Sequence, residues 1–159
     1  MSDASVAILL CTYNGGPFLA KQLASFVVQT HANWQLWVSD DGSTDETHAI
    51  LTAFASTYPN HVRMVQAGPQ RGFAHNFLNL LRREDIKADY YAYADQDDIW
   101  LPERLSRGVQ ALCHDAQAQP ALYCSRTRYI DEDDQPIGMS KLFTRAASFP
   151  NALVQCIAG

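Results

Sequence analysis

The sequence of 159 residues has few basic residues and no long hydrophobic run. Its 12 lysines and arginines are outnumbered by 17 acidic residues, which removes the electrostatic basis for binding nucleic acid or an anionic membrane. No apolar segment approaches the roughly 18 to 20 residues of a membrane span, and residues 1–5 lack the features of a signal peptide. We therefore expect a cytoplasmic protein, and a peripheral position at the inner face of the cell membrane remains open.

Patterns that usually announce disulfides, zinc sites or nucleotide-binding loops are absent as well. The four cysteines, Cys11, Cys113, Cys124 and Cys156, are far apart and form no CxxC pair, so we expect buried thiols outside any disulfide. The chain contains neither the lysine of a P-loop nor a G-x-G-x-x-G after a strand. Any nucleotide must therefore be bound by a structural feature other than these two loops.

What the sequence does contain is a regular alternation of strand-like and helix-like segments. Residues 6–11 form a continuous apolar run, typical of a strand buried on both faces, and apolar residues then recur at helical spacing up to Gln29. Further strands are predicted over 34–39, 62–66 and 90–94, and the first two are again followed by helical patterns. The succession of βα units predicts an α/β fold with a mostly parallel sheet flanked by helices.

Several local features complete this prediction. Ser43-Thr44-Asp45-Glu46 has the pattern of a capping box that opens the second helix. Another amphipathic helix begins near Pro102, strands are predicted over 121–125 and 128–130, and residues 131–134 read as a solvated polar turn. Because no repeat or linker interrupts the sequence, we expect a single domain over residues 1–159.

Three polar clusters follow the predicted strands one, two and four. They are Thr12-Tyr13-Asn14, Asp40-Asp41-Gly42-Ser43 and Asp95-Gln96-Asp97-Asp98. Ligands of open α/β sheets bind outside the carboxyl ends of the strands, so we expect the clusters to border one cleft. Asp95 and Asp97 are oxygen donors suited to Mg²⁺ or Mn²⁺, ions that bind through one or two carboxylates and the phosphates of a substrate. The clusters therefore predict metal-dependent binding of a nucleoside diphosphate derivative.

Taken in this order and spacing, the three clusters resemble the N-terminal motifs of the family 2 glycosyltransferases, over about residues 5–130. The resemblance implies the GT-A fold, a Rossmann-like and mostly parallel sheet. These 159 residues would then be the donor-binding N-terminal part of a longer catalytic domain, truncated at the C-terminus. The segment 94–102, ADQDDIWLP, looks closest to the bacterial rhamnosyltransferase-like branch, which builds cell-surface polysaccharides.

The resemblance also implies roles for individual residues. Tyr13 would pack against the nucleotide base, Asp41 would accept a hydrogen bond from a base N–H, and Asp40 would support their loop. Asp97 would ligate the metal, and Asp95 would lie near both the ribose and the metal. The other implied contacts to the nucleotide sugar are Cys11 and Thr12 at the base pocket, Gln96, and Arg71 near the diphosphate.

The implied reaction moves a hexosyl group, rhamnose in the branch named above, from a dTDP- or UDP-linked donor to an acceptor hydroxyl with inversion. The acceptor would be a saccharide or a lipid-linked molecule. The general base of this family lies in a downstream acceptor-binding part, and no such element is recognisable before Gly159. The catalytic base is therefore unknown, and we expect the chain as given to bind donor without completing the transfer.

Other interpretations of the same residues remain open. One is a non-catalytic nucleotide- or carbohydrate-binding module of the same fold, and another is a nucleotidyltransferase, although Gly15-Gly16-Pro17 lacks the basic residues of its loop. The acidic runs do not continue as calcium-binding EF-hands, and an aspartyl-nucleophile phosphatase would need its acidic motif directly after strand one. Trp100 fits a sugar platform as well as core packing, and His75 is the one histidine near the predicted cleft.

Overall fold

The computed structural model describes residues 3–65, 72–113 and 121–141. The chain divides into two compact units, residues 1–110 and residues 111–159. The expectation of a single donor-binding domain over 1–159 stays a prediction. Up to residue 113 the elements are β1 (Val6–Thr12), α1 (Gly16–Val27), β2 (Trp34–Asp40), α2 (Thr47–Thr57), β3 (Val62–Val65), α3 (Phe73–Leu81), β4 (Tyr90–Ala94) and α4 (Arg104–Cys113).

The four strands of the first unit that the structure describes pair in parallel in the order β3-β2-β1-β4. The register places Val6 opposite both Trp34 and Tyr90, and Thr12 opposite Asp40. Strands β2 and β3 follow β1 on one side of the sheet, whereas β4 pairs with β1 on its other side. The direction in which successive strands are added therefore reverses at β1. Because the strands are parallel, the loops after β1, β2 and β4 begin at the same edge. The predicted parallel α/β sheet is confirmed.

Strand β1 is buried along its whole length because helices cover both of its faces. Side chains on one face pack with α1, α2 and α4, and those on the other face pack with α3. The two sets are Val6, Ile8 and Leu10, and Ala7, Leu9 and Cys11. A strand buried on both sides has no polar face, which explains the uninterrupted apolar run in the sequence.

Helix α1 begins beside Pro17, which suits a first helical turn, and it packs Leu19, Leu23 and Phe26 into the core. The Phe26 ring lies 4.8 Å from the Trp100 ring in an edge-on arrangement. Trp100 is 3% exposed, so the structure places it in the core rather than on a surface where a sugar could stack.

Helix α2 corrects one local prediction. The helix begins at Thr47, and Glu46 at its N-cap position makes no capping hydrogen bond through its side chain. Instead Asp45 Oδ1 accepts from the Thr47 N–H at 3.0 Å, and the Ser43 hydroxyl donates to Asp40. The predicted capping box is wrong because these side chains bind neighbouring groups of the cleft.

The second unit contains β5 (Arg128–Ile130) and β6 (Pro136–Met139), which pair antiparallel. The turn between them is held by Asp131, whose Oδ1 accepts from the N–H groups of Asp133 and Gln135. The acidic run is therefore a structural turn, as predicted. The strand predicted over 121–125 is wrong, because that segment forms no ladder with the described strands. Strand β6 was not predicted.

The cysteines follow the prediction only in part. Cys11 is buried, but Cys113 and Cys124 are exposed, and Cys156 lies outside the described residues. Burial was predicted from apolar neighbours, and the apolar neighbours of Cys124 are themselves exposed, with Leu122 at 68%. None of the helices in the described ranges is long and apolar enough to cross a membrane.

Replacement of Phe26 by alanine is expected to destabilise the fold by about 3 to 5 kcal/mol, because the ring is fully buried between aromatic neighbours. Phe18 lies on the same helix but is 55% exposed, so Phe18→Ala should change stability by no more than about 0.5 kcal/mol. Urea unfolding of the two variants measures both values. Equal losses would contradict this account of the core.

Candidate functional site

A cleft of about 900 Å³ opens where the loops after β1, β2 and β4 meet the start of α3. This is the edge of the sheet at which the chain order reverses. Seven of the predicted site residues line the cleft: Cys11, Thr12, Tyr13, Asp41, Asp95, Gln96 and Asp97. Asp40 lies behind the lining, and Arg71 lies outside the described residues. The three clusters singled out in the sequence therefore share one site.

The loop after β1 is held by side chains of its neighbours. Four consecutive backbone N–H groups, from Tyr13 to Gly16, each donate to a side-chain oxygen of another loop or of the first residue of α2. The acceptors are Gln96 Oε1 for Tyr13 (2.8 Å), Ser43 Oγ for Asn14 (2.8 Å), Thr47 Oγ1 for Gly15 (2.8 Å) and Asp45 Oδ2 for Gly16 (2.9 Å). Asn14 takes a left-handed conformation, with φ of 48°, and its Oδ1 accepts from the Thr44 N–H.

These bonds decide what the loop can do chemically. A loop that cradles phosphate does so with backbone N–H groups pointing at the anion. Here the N–H groups of residues 13–16 already have protein acceptors, so the loop forms a wall of the cleft rather than an anion cradle. A diphosphate in this cleft must be neutralised by other groups.

Asp40 organises the loop after β2. Its carboxylate accepts from the Thr12 hydroxyl at 2.8 Å and from the Gly42 and Ser43 N–H groups, and His48 Nε2 lies 3.2 Å away. Burial by itself would raise the pKa of Asp40, but the hydrogen bonds from Ser43, Thr12 and Gly42 together lower it. Asp40 is therefore held as a carboxylate, and it ties the end of β1 to the end of β2.

Asp41 connects the same loop to the start of α3. Its N–H donates to the Thr12 carbonyl at 2.8 Å, and its Oδ2 accepts from the Gly72 N–H at 2.8 Å. Gly72 has a φ of 134°, a conformation that glycine adopts without strain. The turn into α3 thus depends on both a glycine and the Asp41 carboxylate.

Three cleft residues on α3 were missed by sequence reasoning: Phe73, Asn76 and Phe77. Asn76 is 1% exposed, and its amide donates to the Ser39 carbonyl at 2.9 Å while accepting from the Ser39 hydroxyl. An asparagine within the apolar stripe of a helix was the available signal, because a buried amide needs partners. His75, next to it, is exposed and does not line the cleft.

The carboxylates after β4 repel one another. Partial burial and the charge of Asp97 raise the pKa of Asp95, and partial burial with the charges of Asp95 and Asp97 raises the pKa of Asp98. The guanidinium of Arg104 stacks over the Trp100 ring, 4.6 Å from its centre. Its positive charge acts to lower the pKa of both Asp95 and Asp98. Crowded carboxylates of this kind are stabilised by a cation.

The chemistry of this donor set fits Mg²⁺ or Mn²⁺ bound together with a phosphate. Asp95 and Asp97 both line the cleft and offer hard oxygen donors. Within residues 3–65, 72–113 and 121–141, no three His, Cys, Asp or Glu side chains are grouped to hold a metal by themselves. Substrate oxygens and water would therefore complete the coordination, which is the usual arrangement for Mg²⁺.

Cys11 forms part of the floor of the cleft. Burial, followed by the charges of Asp95 and Asp41, raises the pKa of its thiol to about 12. The thiolate is the nucleophilic form of cysteine, and it is not populated near neutral pH at such a value. Cys11 therefore acts as a small uncharged wall residue.

Comparison with known proteins gives the family. The protein-family sequence model described as Glycosyl transferase family 2 matches residues 7–153. The chain belongs to this family. The dTDP-rhamnosyl transferase RfbG of Shigella flexneri is 32% identical to it over 105 residues, which are 65% of this chain and 36% of that protein.

Solved structures show the same GT-A fold. The mannosyltransferase PcManGT from Pyrobaculum calidifontis, in complex with GDP-Man and Mn²⁺, matches with a TM-score of 0.64 and 24% identity, over 82% of this chain and 37% of that one. S. aureus TarS 1-349 in complex with UDP matches with a TM-score of 0.52 and 18% identity, over 75% and 38%. This family 2 chain thus spans little more than a third of the length of each of these proteins.

Asp40 is expected to make the stability of the fold depend on pH. Its folded-state pKa is lower than the ordinary value of 3.8, so the ionised group stabilises the fold above that value. The contribution is lost as the pH falls through the folded-state pKa. At pH 7, Asp40→Asn should cost about 1.5 to 3 kcal/mol, the range for hydrogen bonds to a charged group.

Urea unfolding of wild type and Asp40→Asn at pH 7 and pH 3 measures this contribution. The difference between the two proteins should shrink at pH 3. Asp133→Asn, in the exposed turn of the second unit, is the matched control and should cost no more than about 0.5 kcal/mol. A difference between wild type and Asp40→Asn that stays constant with pH would refute the assignment.

Proposed function

We propose that this chain is the donor-binding part of a metal-dependent, inverting glycosyltransferase. The donor is a nucleoside diphosphate sugar, and the acceptor is a hydroxyl of a saccharide or lipid-linked molecule. The observation that carries the proposal is the meeting of Tyr13, Asp41, Asp95 and Asp97 in one cleft of a family 2 chain. A cytoplasmic location, at the inner face of the cell membrane, is part of the same proposal.

Tyr13 and Asp41 are proposed to hold the base. Tyr13 lines the cleft, yet it is 59% exposed to solvent. A flat ligand can therefore stack on its ring and displace the water there. Asp41 lies beside it at the end of β2, with its carboxylate fixed by the Gly72 N–H. A base stacked on Tyr13 would present its N–H to that carboxylate, while Thr12 and Cys11 border the same pocket.

Asp95 and Asp97 are proposed to hold Mg²⁺ or Mn²⁺ together with the diphosphate. The bound ion would supply Lewis-acid stabilisation of the charge that develops on the departing nucleoside diphosphate. Two features of this chain support a cation: the mutual repulsion of the carboxylates after β4, and a β1 loop whose N–H groups are already engaged. The second feature disfavours a nucleotidyltransferase with a phosphate-cradling loop.

The sugar is proposed to be rhamnose carried by dTDP, with a UDP-linked donor as the alternative. Support for rhamnose comes from the Shigella relative, whose name is dTDP-rhamnosyl transferase, and from the segment 94–102. TarS has been solved with UDP, which supports the alternative. The product would belong to cell-surface polysaccharide synthesis, and the general base is proposed to lie beyond Gly159.

Metal-dependent nucleotide binding is the expected property of the chain. Calorimetry with dTDP, UDP and GDP should detect binding of at least one of them, and Mn²⁺ should strengthen it. Asp97→Asn is expected to weaken binding in Mn²⁺ by at least about 10-fold, because even the loss of a residue that only supports a metal ligand typically costs about 10- to 100-fold in metal affinity. Asp133→Asn is the matched control and should bind as wild type does.

The outcomes separate the parts of this proposal. If no nucleotide binds to the folded wild-type chain with or without Mn²⁺, the donor-binding function is wrong. If a nucleotide binds equally well to wild type and Asp97→Asn in Mn²⁺, the donor cleft stands and the metal assignment is wrong.

The base platform is tested by replacing the Tyr13 ring. Tyr13→Leu is expected to weaken binding of the same nucleotide about 5- to 150-fold, because stacking of a base on an aromatic ring contributes about 1 to 3 kcal/mol. Tyr13→Phe keeps the ring and should bind within about threefold of wild type. If Tyr13→Leu bound as tightly as Tyr13→Phe, the base would lie elsewhere in the cleft.

A further inference from the structure

Gln96, between the two proposed metal ligands, has its side-chain amide engaged at both ends by the main chain of one residue. Its Oε1 accepts from the Tyr13 N–H at 2.8 Å, and its Nε2 donates to the Tyr13 carbonyl at 3.0 Å. An amide side chain paired in this way fixes the position of a peptide group, as a neighbouring strand does in a sheet. The pair joins residues that are 83 positions apart in the sequence.

Gly15 makes room for this contact. A Cβ atom at position 15 would lie 2.7 Å from Gln96 Cδ, which is closer than real side chains approach. The backbone φ of Gly15 is −94°, a value that alanine adopts without strain. A Cβ at position 15 would therefore push the Gln96 amide away from Tyr13, so the constraint on residue 15 comes from this side chain and not from the backbone.

The Tyr13 ring depends on this contact for its position. The ring is 59% exposed, so packing against the protein restrains it little, whereas its own peptide groups are held by Gln96. The same Gln96 is bonded covalently to Asp95 and Asp97 on either side. A shift of the loop after β4 is thus transmitted to the backbone that carries the ring.

We propose that Gln96 is a positioning residue that holds Tyr13 in place for the base, through the Tyr13 peptide rather than through contact with the ligand. The inference rests on the proposed function, because it takes Tyr13 as the base platform. It joins the two halves of the donor site, because Gln96, which positions the platform for the base, lies in the same loop as the proposed metal ligands Asp95 and Asp97. Gly15 is the steric condition for this arrangement.

The contact is tested first without ligand, by the melting temperatures of Gln96→Ala, Gly15→Ala and the double variant. Gly15→Ala should lower the melting temperature in the wild-type background and lower it much less in the Gln96→Ala background, because the clashing amide is gone and only the Cβ of residue 96, at 3.3 Å, remains. Gly138→Ala is a control for adding a methyl group, since its Cβ would meet an ordinary contact at 3.5 Å. Additive shifts from Gly15→Ala and Gln96→Ala would overturn the contact.

The positioning role is tested by affinity for whichever of dTDP, UDP or GDP binds wild type most tightly in Mn²⁺. Gln96→Ala and Gly15→Ala are each expected to weaken binding about 5- to 30-fold, the loss of one or two hydrogen bonds. The double variant should bind no more weakly than Gln96→Ala. Gln96→Met preserves volume and should behave as Gln96→Ala, and Gln35→Ala, exposed on β2, is the control for loss of an amide.

A double-mutant cycle distinguishes positioning from direct contact. In the Tyr13→Leu background, Gln96→Ala should weaken binding less than about twofold, because the ring it positions is absent. A loss as large as in the wild-type background would show that Gln96 acts on the ligand itself and would overturn the inference. If wild type bound no nucleotide, the proposed function and this role would both fail, whereas binding without the expected coupling would remove only this role.

Discussion

Parallel pairing of β1 with β2 and β4 brings three loops to one edge of the sheet, where their first peptide groups leave the strand ladders and need new partners. The structure supplies these partners largely from side chains at the same edge. Asp40 accepts from backbone N–H groups of the loop after β2 and from the Thr12 hydroxyl at the end of β1, and Gln96 of the loop after β4 bonds both the N–H and the carbonyl of Tyr13. The geometry of the cleft depends on this reciprocal satisfaction of backbone groups.

The same arrangement explains why a rigid site can be built from short polar loops. The N–H groups of residues 13–16 bond to the loop after β2, the start of α2 and the loop after β4, so that displacement of any of these leaves backbone groups without their protein partners. The apolar layers on the two faces of β1 hold the strands in register, and the hydrogen bonds then fix the loops. Apolar packing thus determines the position of the strand ends, and hydrogen bonds between the loops determine the geometry of the cleft.

Electrostatics divides the acidic residues of the cleft into two kinds. Asp40 accepts enough hydrogen bonds to remain charged despite burial, and its pKa is lowered. Asp95 and Asp98 are partly buried and crowded by other carboxylates, so their pKa values are raised. The first kind stabilises the folded chain on its own, whereas the second would be stabilised by a cation, and this difference is a physical basis for the proposal that the loop after β4 binds a metal ion.

Local patterns were enough to predict the α/β class, the order of elements up to α4 and most of the residues that line the cleft. Apolar periodicity reports directly which faces are buried, and polar residues at strand ends must meet at the edge of a parallel sheet. The capping box failed because Ser43 binds Asp40 and Asn14 instead of the helix. The strand predicted over 121–125 failed because β-propensity without a pairing partner does not make a ladder.

The sequence by itself determined the family, the sheet and the identity of the carboxylates, because these depend on residue types within short motifs and on the order of those motifs along the chain. Only the tertiary structure decided how the loops support one another. The contacts concerned are the two hydrogen bonds between Gln96 and Tyr13, the close approach of Gly15 to Gln96 and the burial of Asn76 against Ser39. These contacts join residues 37 to 83 positions apart, and their donors and acceptors match only after the strands have paired. Contacts of that range leave no local periodicity from which they could be inferred.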